Sequence, residues 1–159
     1  LETLGDKHPD TAKSYKTVGD VLYKEANFES AEEMYRKALE IDLEAQPYNH
    51  RVLSQRYSNM AVVLTEQSKF SEAIKMNKQS LARKLHIHGG EDHPDIAGTY
   101  VGIGALLLKQ NRLDDALQMF DRVIEVCNRL DQGGSNRGTV AAALSNKAII
   151  RQEQGDLEA

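Results

Sequence analysis

The chain has 159 residues, and its net charge of −4 argues against a general nucleic-acid binder, which would need a concentrated basic face. Its longest apolar run, Val101–Leu108, is far shorter than the roughly 18 residues that span a bilayer, so we expect no membrane partner. A single cysteine and the lack of an amino-terminal signal pattern favour a reducing, cytoplasmic compartment.

Apolar residues recur at helical spacing in pairs of short ladders along the chain. The first pair is Tyr15–Leu22 and Phe28–Ala38, and the ladders are separated by a break at Ala26-Asn27. Gly19 and Ala31 are small residues at positions where two antiparallel helices must approach closely. The pattern therefore predicts a helical hairpin.

The hairpin pattern repeats along the chain. Its first ladder returns at Tyr57–Leu64, Tyr100–Leu107 and Leu144–Ala148, in steps of 42, 43 and 44 residues. The order of large, small and aromatic residues resembles the tetratricopeptide repeat. The resemblance implies an all-α fold, a right-handed superhelical solenoid of antiparallel helix hairpins.

The ladders predict seven complete helices and a single repeat array. The expected helix bounds are 10–25, 28–44, 50–67, 70–88, 94–110, 112–130 and 138–154. Residues 1–7 are expected to end a preceding repeat, and repeats one to four are 8–49, 50–92, 93–134 and 135–159. Because both ends of the chain fall inside repeats, we expect a fragment of a longer solenoid.

Three features distinguish these units from the ordinary repeat of about 34 residues. The units are at least eight residues longer and lack its closing proline, and His8-Pro9-Asp10 recurs as His93-Pro94-Asp95 at predicted helix starts. With the patterns Leu1–Ala12 and Tyr35–Ile41, the chain resembles the kinesin light chain type of repeat. The resemblance implies a protein–protein interaction scaffold or adaptor.

Residues that could support catalysis or metal binding have simpler interpretations. Metal-ligand types cluster only at His86, His88, Glu91, Asp92 and His93. Zinc requires three or four ligands that converge from fixed elements, whereas a flexible Gly-Gly pair interrupts this cluster. We interpret these residues as solvated loop residues and assign neither metal nor cofactor.

Cys127 lies on an apolar helical ladder with no histidine base placed beside it. We expect a buried, inert thiol, and we interpret the chain as a non-enzyme.

On the first helix of each hairpin, a second stripe of residues is not explained by packing within the hairpin. At its spacing it must face the concave side of the superhelix, where we expect an extended linear peptide to bind. The stripe consists of Lys13, Lys16, Asp20, Gln55, Asn59, Val62, Gly98, Val101, Gly102, Ala105, Ser145, Asn146 and Ile149. It changes from cationic to polar, then to small and apolar, and then to polar again.

Glycines at 98 and 102 are unusual on a helix, because each costs about 1 kcal/mol relative to alanine. Two explanations remain open at this point. Either a neighbouring helix packs closely against them, or they form the floor of a ligand pocket.

The resemblance also implies ligand chemistry. Kinesin light chains bind cargo peptides with an aromatic residue flanked by acidic ones, and asparagines before the Leu-Ala position hold the peptide backbone. Asn59 and Asn146 match that position, whereas Thr17 and Gly102 do not. The carboxylate clamp of chaperone-binding relatives needs a basic pair where Gly98 and Gly102 stand, which excludes that clamp.

The sequence therefore predicts a peptide partner with an aromatic or large aliphatic anchor and acidic flanks. The alternative is a structural assembly module that self-associates through the array ends or the convex face. Leu144, Ala148 and Leu157 would lack cover at the truncated end, so weak self-association is expected there.

Overall fold

The computed structural model describes residues 8–45, 47–130 and 136–155, without the side chain of Glu153. Within these ranges the chain forms α-helices joined by short turns, and no strand. The helices are α1 Pro9–Lys24, α2 Phe28–Glu44, α3 His50–Glu66, α4 Phe70–His88, α5 Pro94–Lys109, α6 Leu113–Leu130 and α7 Arg137–Glu153. Each predicted helix is confirmed to within one residue at either end.

The helix starts are fixed by local side-chain caps. Asn27 and Asn49 accept hydrogen bonds from the backbone N–H groups of Ser30 and Val52, at 3.3 and 3.1 Å. His8 and His93 cap α1 and α5 through Nδ1, which accepts the N–H of the aspartate two residues later at 3.2 Å in both cases. The repeated His-Pro-Asp tripeptide is thus a helix start, as predicted.

The three hairpin turns share one backbone geometry. Ala26, Ser68 and Asn111 adopt the left-handed conformation, with φ of 57, 59 and 56°. The next residue in each turn donates its N–H to a carbonyl five residues back, at 2.9 Å. This six-to-one bond is the Schellman helix ending, which reverses the chain within two residues.

Small residues allow the two helices of a hairpin to approach. A Cβ atom added to Gly19 on α1 would lie 2.7 Å from the ring of Tyr35 on α2. Ala31 and Ala73, at the small positions of α2 and α4, are fully buried. The sequence-based assignment of these close-approach positions is therefore confirmed.

Most of the predicted core is buried, with two exceptions. The buried positions are Tyr35, Tyr57, Leu64, Tyr100, Leu107 and Phe120. Tyr15 and Leu22 are only half-buried, because both lie on α1, which among the described residues packs chiefly against α2. Cys127 is buried, as expected.

Two polar contacts, one buried and one partly buried, join α2 to the following hairpin. Arg56 Nε donates to Asp42 Oδ2 at 2.6 Å, and both side chains are nearly inaccessible. Glu32 accepts hydrogen bonds from Gln67 Nε2 at 2.9 Å and from Lys69 Nζ at 2.8 Å. Removing Arg56 or Asp42 would leave a buried charge uncompensated, so this pair stabilises the contact between α2 and α3.

The chain divides into two compact units, residues 1–83 and 84–159, and the boundary falls inside α4. Each unit has its own core, built around α1–α3 in the first and α5–α7 in the second. Among the described helices, none has the combined length and apolar content that a membrane crossing requires.

Candidate peptide-binding surfaces

The first unit carries part of the predicted stripe on α1 and α3, which we call the first surface. Its members are Lys13, Lys16, Asp20, Gln55, Asn59 and Val62. Lys13 and Gln55 are exposed, and Val62 leaves 48% of its surface exposed. Tyr23 Oη donates to Glu66 Oε1 at 3.3 Å and so links the two helices beside this stripe.

The first surface has less unpaired positive charge than the sequence predicted. Lys16 forms an ion pair with Asp20, one helical turn further on. The other oxygen of that carboxylate accepts the hydroxyl hydrogen bond of Tyr35 at 3.0 Å. Burial, followed by this hydrogen bond and the aspartate charge, raises the pKa of Tyr35 well above its usual range. Lys13 is therefore the lysine of this stripe that can attract an acidic partner.

Asn59 is half-buried on α3, and its side chain makes no hydrogen bond to any described residue. The neighbouring Ser58 is different, because its Oγ lies 2.9 Å from Oγ of the buried Ser80. An amide group can both donate to and accept from an extended peptide backbone. Asn59 thus offers hydrogen-bonding capacity on the first surface that the described fold does not use.

The second unit carries the rest of the stripe on α5 and α7, which we call the second surface. Its members are Gly98, Val101, Gly102, Ala105, Ser145, Asn146 and Ile149. Gly98 is exposed, and a Cβ atom built on it would meet nothing within 4 Å. Close helix packing, one of the two explanations left open by the sequence, therefore does not account for glycine at residue 98.

The α7 part of the second surface is partly apolar. Ile149 leaves 46% of its surface exposed, and Ser145 is exposed. Asn146 Nδ2 donates to the Ala142 carbonyl of its own helix at 2.9 Å, so one donor of this amide is already used. Val101, Gly102 and Ala105 are half-buried on α5.

The histidine-rich segment differs from its sequence-based interpretation. His88 and His93 are not separately solvated, because their rings stack with centroids 3.4 Å apart and both side chains are partly buried. The third group beside them is Asp95, which the sequence analysis had not included in this cluster. Glu91 instead accepts a hydrogen bond from Tyr100 Oη at 2.8 Å.

The polar contacts that cross between repeats were not predicted from the sequence. Arg56 and Glu32 are charged residues next to apolar ladder positions, which was the available signal, but their partners lie 14 and 37 residues away. Only the folded chain brings these partners together.

A comparison with known protein families gives the identity of the fold. The model of the tetratricopeptide repeat matches residues 1–44, 53–129 and 95–159. The chain belongs to the tetratricopeptide-repeat family. Membership makes it a protein–protein interaction module rather than an enzyme.

Similar tetratricopeptide-repeat proteins occur among curated relatives. The chain is 31% identical over 109 residues to the Protein STIP1 homolog of Dictyostelium discoideum, covering 69% of this chain and 18% of that protein. It is 32% identical over 113 residues to Stress-induced-phosphoprotein 1 of Caenorhabditis elegans, covering 71% and 32%. The chain thus spans about a third or less of these relatives.

One solved structure supports the same fold. The N-terminal domain of stress-induced protein-1 (STI-1) from C. elegans aligns with a TM-score of 0.65 at 26% sequence identity, over 87% of this chain and 96% of that one. This likeness confirms the predicted all-α helical-repeat solenoid.

Proposed function

We propose that this tetratricopeptide-repeat module binds an extended linear peptide of a partner protein on the exposed stripes of its first helices. The observation that carries the proposal is the open position beside Gly98 on α5. A glycine in a helix costs about 1 kcal/mol relative to alanine, and no described neighbour requires it here. A ligand that approaches the helix backbone would explain the residue.

The second surface suits an apolar anchor. Glycine and alanine on α5 leave room for a bulky side chain, and the exposed part of Ile149 supplies apolar contact on α7. Full burial of one large apolar side chain contributes about 1.5–3 kcal/mol. An aromatic or large aliphatic anchor residue in the peptide is the matching chemistry.

The first surface suits an extended backbone with an acidic neighbour. Asn59 would pair with the peptide backbone, and Lys13 would attract the acidic flank. An exposed lysine contributes about 0.2–1 kcal/mol and less at high salt. A short peptide held on one of these surfaces would bind at about micromolar strength, because ordering the peptide offsets part of the contact energy.

A more specific form of this proposal is cargo recognition in the cytoplasm in the manner of kinesin light chains. The repeat period and the His-Pro-Asp helix starts support this form. Asn59 and Asn146 stand at the matching positions, although Asn146 already bonds its own helix.

A peptide array screened with the whole chain, followed by affinity measurements on variants, tests the proposal. Gly98→Leu should weaken binding of the selected peptides, because the leucine fills the space for the anchor. Gly138→Leu is the matched control, since Gly138 is also an exposed helical glycine with nothing within 4 Å of an added Cβ. Asn59→Ala should weaken binding, whereas Asn128→Ala, at an exposed α6 position, should not.

Peptides selected without any bulky apolar residue would contradict the proposal. Equal affinities for the wild type, Gly98→Leu and Asn59→Ala would contradict it as well.

A second function is favoured by exposed apolar residues at two helices. Leu144 on α7 leaves 53% of its surface exposed, and Val21 on α1 leaves 50%. Ala148 on α7 is also exposed, whereas Leu157 lies outside the described residues. These positions support self-association as a structural assembly module. Analytical ultracentrifugation tests it, since an assembly module gains mass as protein concentration rises and a Leu144→Gln variant should gain less.

A further inference from the structure

Three potential metal ligands converge where α4 ends and α5 begins. His88 is the last residue of α4, His93 caps α5, and Asp95 lies in the first turn of α5. Asp95 Oδ2 lies 3.8 Å from His88 Nε2 and 3.7 Å from His93 Nδ1. One donor atom from each of the three residues lies within 4.8 Å of the others.

These donors have the chemistry of a zinc site. Imidazole nitrogens and carboxylate oxygens bind Zn²⁺ at about 2.0–2.2 Å, and open sites hold three protein ligands. The present separations are slightly wider than such a site needs. Because the lone pair of an imidazole nitrogen lies in the ring plane, the stacked rings must also fan apart to share one ion. Both movements would require rotation of the imidazole side chains, and an ion bound at His93 Nδ1 would replace the hydrogen bond that this atom accepts from the Asp95 N–H.

We propose that His88, His93 and Asp95 bind one Zn²⁺ ion or a similar divalent transition-metal ion, which links the end of α4 to the start of α5. The proposal does not rest on peptide binding. Two imidazoles with one carboxylate favour zinc and similar transition metals over Mg²⁺ or Ca²⁺, which prefer oxygen ligands alone.

The neighbouring charged groups have partners of their own, and Lys84 also lies beside Asp95. Arg129 forms ion pairs with Glu91 and Asp92. Lys84 Nζ donates to Thr99 Oγ1 at 2.8 Å and lies 3.4 Å from the backbone carbonyl of Asp95. The two acidic loop residues are thus engaged by an arginine, whereas the donor atoms of His88, His93 and Asp95 converge.

The other repeats provide internal comparisons. His8 caps α1 with the same geometry, and its Nδ1 lies 3.6 Å from Asp10 Oδ2, yet no second described histidine joins this pair. One repeat period earlier, where repeats one and two meet, the residues equivalent to His88 and Asp95 are Ala45 and Val52. Among the described residues, only the junction of repeats two and three combines two imidazoles with a carboxylate.

The test is calorimetric titration of the metal-free whole chain with ZnCl₂. We expect one ion per chain, bound at about micromolar strength because the three-ligand site is open to solvent. His88→Gln and His93→Asn should each weaken binding by at least about tenfold, since even residues outside the ligand set typically change affinity by 10–100-fold. Asparagine is a favoured N-cap, so the second variant keeps the start of α5.

Two histidine variants serve as controls. His86→Gln changes an exposed histidine on the same helix, and His8→Asn makes the same cap replacement in the first repeat. Both should bind zinc like the wild type. Circular dichroism confirms that each variant is helical, and His88→Gln decides the matter if His93→Asn fails to fold.

Three results would overturn the assignment: no one-to-one zinc binding by the wild type, unchanged binding in both ligand variants, or an equal loss in the two controls. The last result would mean diffuse binding by surface histidines.

Discussion

Gly104 on α5 lies beneath the ring of Phe120 on α6, so closely that a Cβ atom at residue 104 would stand 2.8 Å from the phenylalanine Cε1. The first repeat has the same pairing, with Gly19 beneath Tyr35. In the second repeat the equivalent residues are Ala61 and Asn77, where a smaller side chain replaces the aromatic ring. In the first and third hairpins, a glycine on one helix is thus matched to an aromatic ring on the other.

Gly104→Ala should therefore destabilise the chain. Overpacking of this kind costs about 1–3 kcal/mol of unfolding free energy, because the Phe120 ring must move within a full core. Urea denaturation measures the change. Gly98→Ala is the control, since its added methyl group has open space and should stabilise the helix by up to about 1 kcal/mol. Equal stability of Gly104→Ala and the wild type would contradict the close approach.

Ala31→Phe and Ala73→Phe test the small positions on the second helices. Both alanines are fully buried, so the larger ring should cost roughly 1–3 kcal/mol or prevent folding. Ala82→Phe, at an exposed position of α4, should change the unfolding free energy far less. If either buried site accepts phenylalanine without loss of stability in thermal denaturation, the assigned repeat register is wrong.

Glycine at the left-handed turn positions should stabilise the fold. Ala26 and Ser68 have positive φ, a conformation that costs a residue with a Cβ atom about 1–2 kcal/mol. Ala26→Gly and Ser68→Gly should recover part of this, although glycine also raises the entropy of the unfolded chain. Ala141→Gly, within α7, should instead lower stability by about 1 kcal/mol. A loss of stability in both turn variants would contradict the prediction.

Acid should weaken the contact between α2 and the following hairpin. Burial alone would raise the pKa of Glu32, but hydrogen bonds from Lys69, Gln67 and Arg36 outweigh it and hold this pKa below its ordinary value of 4.5. A carboxyl with a depressed pKa stabilises the fold above the unfolded-state pKa, and this stabilisation disappears as the pH falls through the folded-state value. Stability should therefore decline as the pH drops below about 4.5.

Glu32→Gln removes the titrating group, so the stability of the variant should depend less on pH in this acidic range. The variant should also be less stable than the wild type at pH 7. The exposed Glu33 on the same helix provides the control, as Glu33→Gln should leave the slope nearly unchanged. Chemical denaturation between pH 3 and pH 7, a window set by the carboxyl pKa range, measures both. An unchanged slope in Glu32→Gln would assign the acid sensitivity to other carboxyls.

The sequence by itself determined the helices and the repeat class. Apolar ladders at helical spacing, caps such as Asn27 and the small residues at Gly19 and Gly104 act over a few residues or within one hairpin. The apolar ladders and the small positions also recur in register along the chain, so an error in one repeat would be exposed by the others. For this reason the predicted helix bounds agree with the structure to within one residue.

The tertiary structure decided which polar groups are available. The sequence placed Lys16 in the predicted cationic stripe, but in the structure its charge is paired with Asp20. Tyr35 on α2 donates a hydrogen bond to the same carboxylate. His88 and Asp95 meet across a turn whose geometry the sequence did not show. Periodicity specifies the face of a helix on which a residue lies. The partner of a charged residue depends instead on distances of a few ångströms between separate elements, and only the packed chain sets those distances.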